Sequence, residues 1–281
     1  MKSFLTKTAL FCLLIFISVP VIVLSARQFT SKIDWKLPAD KHILFMGASH
    51  IECGINDSLT HSAINLSKSS ERYMFTYIKL QHILEYNNQI DTIFLQCAPT
   101  DLFEHADDKY YKDNEMAYFF STYYPLFNYD QWKLYKEKIP YAFVLLYRRA
   151  FVDYILGVDY SYYCDMFLPR REIMKLDSVY YKPEGGTYGN TINYIYLRKI
   201  IQLCRENNIK LYFIYCPVYK PENFYDQNYY YEAYRNNFGD IELLDYSHYQ
   251  VSVDEYCDAH HLNYQGAVKF TNYLKKEFNL K

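Results

Sequence analysis

Ile43-Leu44-Phe45-Met46-Gly47-Ala48-Ser49 decides the fold of this 281-residue chain. An uninterrupted apolar run that stops at a Gly-x-Ser turn reads as a strand buried on both faces, the kind found in parallel sheets. His42–Met46 is therefore expected as the first strand, delivering Ser49 past its carboxyl end, where open α/β sheets place their sites. Working outward, Ala63–Leu66, Thr92–Cys97, Ile209–Cys216 and Ile241–Asp245 share the short apolar character. Between them, Glu71–Tyr86 and Ile192–Glu206 carry apolar residues at helical spacing. Gln265–Phe278 reads as the terminal helix, with Asn263 as its cap. The alternation predicts an α/β three-layer sandwich with a mostly parallel central sheet.

One stretch departs from this pattern. Residues 103–185 are rich in tyrosine and short of strand character, with helices expected around Asp130–Tyr135 and Tyr141–Ile155. They read as an inserted helical cap, closed by Gly185-Gly186. The span 219–240 is expected as a polar, Tyr-rich loop or helix.

The chain opens with an uncharged, almost wholly apolar run from Thr8 to Ala26, preceded by Lys2 and Lys7. As a helix it would be about 28 Å long, close to the ~30 Å hydrocarbon core of a bilayer. Residues 1–26 are thus a signal anchor or signal peptide, and the uncharged length favours an anchor. Residues 27–40 read as a polar linker, leaving 41–281 as the α/β domain with its insertion. The expected location is the cell envelope, with the domain outside the cytoplasm and the membrane engaged through the N-terminal helix.

Composition narrows the function. The net charge is −2 and the pI near 6.4, so no basic excess points to nucleic acid. Seven cysteines include no C-x-x-C pair, which excludes a zinc ribbon or thioredoxin motif. Cys97 and Cys216 lie in strand-like runs and are expected as buried thiols. No cofactor motif and no dedicated metal loop is found; His248, Cys257, Asp258 and His260 would form only a mixed, adjacent set. Tyrosine reaches 34 residues against 8 glycines. That suits half-buried surfaces and sugar clefts, and equally a simple drift of Phe and Leu towards Tyr.

The chemistry comes from pairing the first strand with Asp258-Ala259-His260-His261-Leu262-Asn263. A serine hydroxyl is a weak nucleophile until a base takes its proton and a third group orients that base. Asp258 and His261, three apart, fall on one side of a single turn, so the carboxylate can hold the imidazole while its other nitrogen reaches Ser49. His50 and Glu52 are candidates either for shaping the site or for a surface role at the start of a helix. Cys53 is a rival nucleophile whose helical phase points elsewhere, and His260 is expected at the surface or behind the site.

These residues resemble the SGNH (GDSL-type) hydrolase superfamily, in a divergent membrane-anchored branch. The last block, Asp258-Ala259-His260-His261-Leu262-Asn263 followed by Gly266, matches that family's Asp-x-x-His-Leu-Asn pattern closely. The first block, Gly47-Ala48-Ser49-His50, lacks its acidic residue. The resemblance covers about 42–98 and 190–278 but not the cap. It implies a flavodoxin-like fold, Ser49 as nucleophile, and Asp258 and His261 completing a triad. It also implies an oxyanion hole of a serine N–H, a glycine N–H and an asparagine side chain. The second block falls at Asn65–Ser70 without glycine, so the N–H of Ser69 or Ser70 would serve beside that of Ser49. The third falls at Gln96–Asp101 without asparagine, leaving Gln96 or Thr100 as stand-ins.

The expected activity is that of a serine esterase or O-acyltransferase acting on carboxylic esters. An acylated small molecule or glycan is the expected partner, O-acetyl groups of a cell-surface glycan among the possible substrates. The alternative is a non-catalytic envelope binding or assembly protein that kept the fold.

Overall fold

In the computed structural model the described residues are 1–30, 34–111, 113–156, 191–221 and 226–280. A five-stranded, wholly parallel sheet forms from β1 (Ile43–Met46), β2 (Ala63–Asn65), β3 (Thr92–Gln96), β4 (Lys210–Tyr215) and β5 (Leu243–Asp245), in the order β2-β1-β3-β4-β5. Ile43 is aligned with Ala63 on one side and Thr92 on the other, Thr92 with Lys210, and Phe213 with Leu243. The chain reverses direction of travel across the sheet between β2 and β3, which opens a crevice beside the end of β1.

The strands alternate their apolar side chains between two faces. Ile43, Phe45, Phe94 and Ile214 face one layer, where they meet Ile51 and Ile55 near α2 (Ser49–Gly54) and Phe270 and Leu274 of α11 (Tyr264–Glu277). On the other face, α3 (Tyr73–Tyr86) packs against α9 (Ile192–Glu206), and Phe213 meets Phe238 of α10 (Gln227–Phe238) with ring centroids 6.2 Å apart. Buried on both faces, β1 has no exposed residue, as its continuous apolar run requires.

Helix ends follow their capping residues. Thr191 accepts from the N–H of Tyr194 at the start of α9. Asn263 accepts from Gln265 and Gly266 at the start of α11, and its amide donates to the Asp254 carbonyl at 2.6 Å, tying the helix to the preceding loop. Within α11, Gly266 leaves no room for a side chain, since a Cβ there would collide with the Glu255 carbonyl.

Two further helices are α4 (Pro99–Leu102) and α5 (Asp108–Tyr111). The Tyr110 hydroxyl donates to Asn193 at 2.7 Å, and Asn193 donates in turn to the Asp101 carbonyl. A buried lysine, Lys79, reaches the Glu71 carboxylate at 2.9 Å and the Leu66 carbonyl at 2.5 Å, while Thr76 donates to the same carboxylate.

The chain divides into two compact units: 35–110 with the described part of 163–281, and 1–34 with the described part of 111–162. The second unit joins α1 (Lys2–Thr30) to α6 (Asp113–Tyr123), α7 (Tyr129–Leu134) and α8 (Ile139–Leu156). Arg27 donates to the carbonyls of Pro125 at 3.0 Å and Phe127 at 2.6 Å, and the Ser18 and Tyr147 hydroxyls are hydrogen-bonded. Phe120, Phe127, Trp132 and Tyr135 pack ring against ring. Over Lys2–Gln28, α1 is long and apolar enough to cross a membrane.

Two boundaries differ from expectation. Residues 27–30, read as linker, continue α1, because the Arg27 side chain is occupied by carbonyls of its own unit. The division falls between Tyr110 and Tyr111 rather than at 103, because Tyr110 is buried and bonded to Asn193. The span 219–240, expected as loop or helix, contains the helix α10, started by Asp226, whose carboxylate accepts from Asn228 and Tyr229. The expected insertion is helical over its described part; 157–185, including Gly185-Gly186, lies outside the described residues, as does residue 164 among the cysteines.

Candidate active site

Ser49 stands at the first position of α2, directly after the β1 turn. The turn depends on Gly47, whose φ of +148° disfavours any side chain, and where a Cβ would drive into Gln96 Cβ on the neighbouring strand. Close strand packing and an abrupt turn therefore come from one residue. They leave the Ser49 side chain half-buried at the sheet's carboxyl edge.

His261 and Asp258 arrive from the loop before α11. Tyr256 and Leu262 form an antiparallel bridge, and Cys257 N–H donates to the His261 carbonyl at 2.9 Å, so 257–261 is a closed loop of fixed shape. His261 Nε2 lies 2.8 Å from Ser49 Oγ. His261 Nδ1 lies 2.7 and 2.8 Å from the two Asp258 oxygens. Asp258 also accepts from the His260 N–H at 2.8 Å. Burial pushes the Asp258 carboxyl upward, but the hydrogen bond and charge of His261 outweigh it and hold the group at about 2. An ionised carboxylate only accepts, so Nδ1 carries the ring proton and Nε2 is left to accept from the Ser49 hydroxyl. This arrangement can move a proton from oxygen to imidazole while the carboxylate balances the charge that forms.

Two other histidines surround the imidazole. The buried His50 ring stands edge-on to His261 at 5.4 Å and parallel to His260 at 6.2 Å. Burial, followed by the nearby charge of His261, lowers the pKa of His260 against the opposing pull of Asp258.

The expected oxyanion donors divide. Among the described residues, the backbone N–H groups of Ser49, Ser69 and Ser70 donate to no acceptor. The turn carrying Ser69 and Ser70 is tied to the Ser49 segment: Lys68 N–H donates to the Gly47 carbonyl at 3.0 Å, and the Ser69 hydroxyl donates to the Glu52 carboxylate. Ser70 adopts φ of 63° in this turn, the left-handed conformation that glycine takes more readily. The hydroxyl of Ser69 is thus occupied, and only its backbone is available.

Gln96, expected as an oxyanion candidate, is tied into the scaffold at both ends of its amide. Its Oε1 accepts from the N–H of Ala48 at 3.1 Å and of Ile51 at 3.4 Å, and its Nε2 donates to Asp101 at 3.0 Å. Asp101 in turn accepts from Ala98 N–H at 2.9 Å and from Arg72 at 3.4 Å. A buried chain Arg72–Asp101–Gln96 therefore holds the Ser49 turn from behind. Tyr73 donates to the Gln96 carbonyl at 2.8 Å and Tyr230 to the Cys97 carbonyl at 2.5 Å, fixing the end of β3. Thr100 contributes its carbonyl to Arg72 at 3.3 Å, and its hydroxyl binds none of the described residues. The roles of Arg72, Asp101 and Gln96 have no local signature: each is a polar residue in or beside an apolar run, and only their meeting gives them purpose.

Cys53 is buried in α2 and bears no part in the relay. Burial pushes the thiols of Cys97 and Cys216 well above their ordinary range and that of Cys204 up to about 12, so none is a ready thiolate.

A protein-family model matches residues 176–281, a stretch that includes Asp258 and His261 and is under half of the chain. A search of curated proteins finds no match. Among solved structures, a proposed platelet activating factor from Streptococcus pneumoniae aligns with a TM-score of 0.45 at 13% identity, over 97% of this chain and 98% of its own. A proposed acylhydrolase from Bacteroides fragilis aligns with a TM-score of 0.42 at 10% identity, over 90% of this chain and 93% of its own.

Proposed function

We propose that this chain is a membrane-anchored, extracytoplasmic serine esterase or O-acyltransferase of the SGNH type. Its substrates are carboxylic esters, with O-acetyl groups of a cell-surface glycan as the class considered first. The observation that carries the reading is the continuous hydrogen-bonded path Ser49 Oγ, His261 Nε2, His261 Nδ1, Asp258, on a loop and a turn that are independently rigid. Ser49 Oγ attacks the ester carbonyl as its proton passes to His261. The carbonyl oxygen becomes an oxyanion facing the N–H of Ser49 and of Ser69 or Ser70. Collapse expels the alcohol, which takes the proton from His261, and leaves an acyl-serine. Water or an acceptor hydroxyl, deprotonated by the same imidazole, then receives the acyl group.

The apolar α1 supports the anchored, extracytoplasmic part of this reading. A second reading, a non-catalytic binding module, draws on the tie of Gln96 into the scaffold through bonds to Asp101 and to the Ala48 N–H. A fluorophosphonate probe separates the two. The esterase is labelled at Ser49 and loses labelling in Ser49→Ala; a chain that stays unlabelled, or is labelled equally in the variant, refutes the catalytic reading. Transfer to an added oligosaccharide in excess of free acetate release identifies the acyltransferase.

A further inference from the structure

The unit built on α1 has a cavity of its own, of about 480 Å³. Val19 of α1, Trp132 of α7, and Phe143 and Leu146 of α8 give apolar walls, and Lys133 and Lys136 are among the other lining residues. Both lysines are exposed, and no carboxylate lines the cavity among the described residues. The volume is within the range of sites that enclose a ligand chain. The wall at Val19 belongs to the Lys2–Gln28 segment, which is long and apolar enough to cross a bilayer. With α1 in a bilayer, a cavity with such a wall borders lipid. A tryptophan and two lysines beside it are the residue types that settle at the bilayer interface and meet anionic headgroups.

We infer that this cavity holds an acyl chain of an anionic phospholipid from the surrounding bilayer, with Lys133 and Lys136 meeting its phosphate. A zwitterionic lipid would satisfy the walls, but the choline cation beside its phosphate would offset the charge that the two lysines meet. A free phosphate would satisfy the lysines and leave the apolar walls against water. The inference rests on α1 being a membrane segment and is independent of the chemistry at Ser49.

The test uses the full chain in phosphatidylcholine vesicles containing a small fraction of brominated-chain phosphatidylglycerol or, in parallel, brominated-chain phosphatidylcholine. Bromine quenches a tryptophan it touches. The chain has 2 tryptophans, and Trp35 is buried in the other unit. The Trp35→Phe variant isolates the Trp132 signal, and Trp132→Phe supplies the background should Trp35→Phe fail to fold. The expected result is half-maximal quenching at roughly 20–30-fold lower phosphatidylglycerol than phosphatidylcholine, about five-fold from each lysine. Lys133→Gln/Lys136→Gln, at exposed positions that leave the fold intact, equalises the two lipids. Equal quenching in the parent chain, a preference that survives the double substitution, or loss of the preference on adding millimolar inorganic phosphate at constant ionic strength overturns the inference. Failure of the vesicles to capture the chain at all removes the membrane reading and this inference together, leaving the Ser49 chemistry to its own probe.

Discussion

Asp258→Asn is the substitution that tests the relay most sharply. The carboxylate does two things at once: Oδ1 accepts from both the His260 N–H at 2.8 Å and His261 Nδ1 at 2.7 Å, and Oδ2 stands 2.8 Å from the same Nδ1. An asparagine retains one acceptor. If its oxygen takes the Oδ1 position, the amide N–H₂ confronts the Nδ1–H, and the ring must shift or change tautomer. Losing one charge-assisted hydrogen bond removes about 1.5–3 kcal/mol, or roughly 10–150-fold in kcat/KM. A change of tautomer, which turns an N–H toward Ser49 Oγ, lowers the rate by about 10⁴. The assay is hydrolysis of a chromogenic acetate ester, with fluorophosphonate labelling rate as a second readout and circular dichroism as the fold control. The expected fall lies between about ten-fold and 10⁴-fold in both. A folded Asp258→Asn chain that hydrolyses and labels at the parental rate refutes the relay, whatever the distances.

Stability carries a matching pH signature. Asp258 is held at about 2 against an ordinary 3.8, so it stabilises the fold fully above pH ~4, and the contribution is lost as the pH falls from about 4 to 2. The gap corresponds to at most ~2 kcal/mol, and to about half of that once screening of a side chain that is 32% exposed is included. Urea titrations of parent and Asp258→Asn should therefore differ at pH 6 and converge toward pH 2; a difference that grows on acidification contradicts the assignment. Gly47→Ala should destabilise by about 1–3 kcal/mol and abolish labelling, because it pushes Gln96 away from the Ala48 and Ile51 N–H groups that hold the Ser49 turn; unchanged labelling would show that the turn is not held this way. Lys79→Met leaves the buried Glu71 carboxylate without its cation and should cost about 3–5 kcal/mol, read as a fall of roughly 6–20 °C in Tm. The double variant Lys79→Met/Glu71→Leu should regain most of it, and a double variant no better than the single one contradicts the ion-pair account.

Much of the architecture was legible because it is local. A strand buried on both faces runs apolar along its middle, so Ile43–Met46 and the Ile93–Leu95 stretch of β3 declare themselves. An amphipathic helix must repeat at 3.6 residues, as Ile192–Glu206 does. The pair Asp258 and His261 is legible for the same reason, since one turn of backbone brings them together. Boundaries shifted where a side chain found a distant partner: Tyr110 stays with the sheet through Asn193, and Arg27 extends its helix to reach carbonyls at 125 and 127.

The chain's own order of residues was thus enough to determine the α/β class, the apolar helix at its start, and which serine, histidine and aspartate to compare. The tertiary structure alone decided that strand β3 lies against β1, that the Gln96 amide braces the Ser49 turn, and that His50 stands beside the imidazole of His261. The physical reason is range. Periodicity and capping are set by neighbours within a turn or two, whereas a buried amide takes its role from whichever donors and acceptors long-range packing brings within about 3 Å of it.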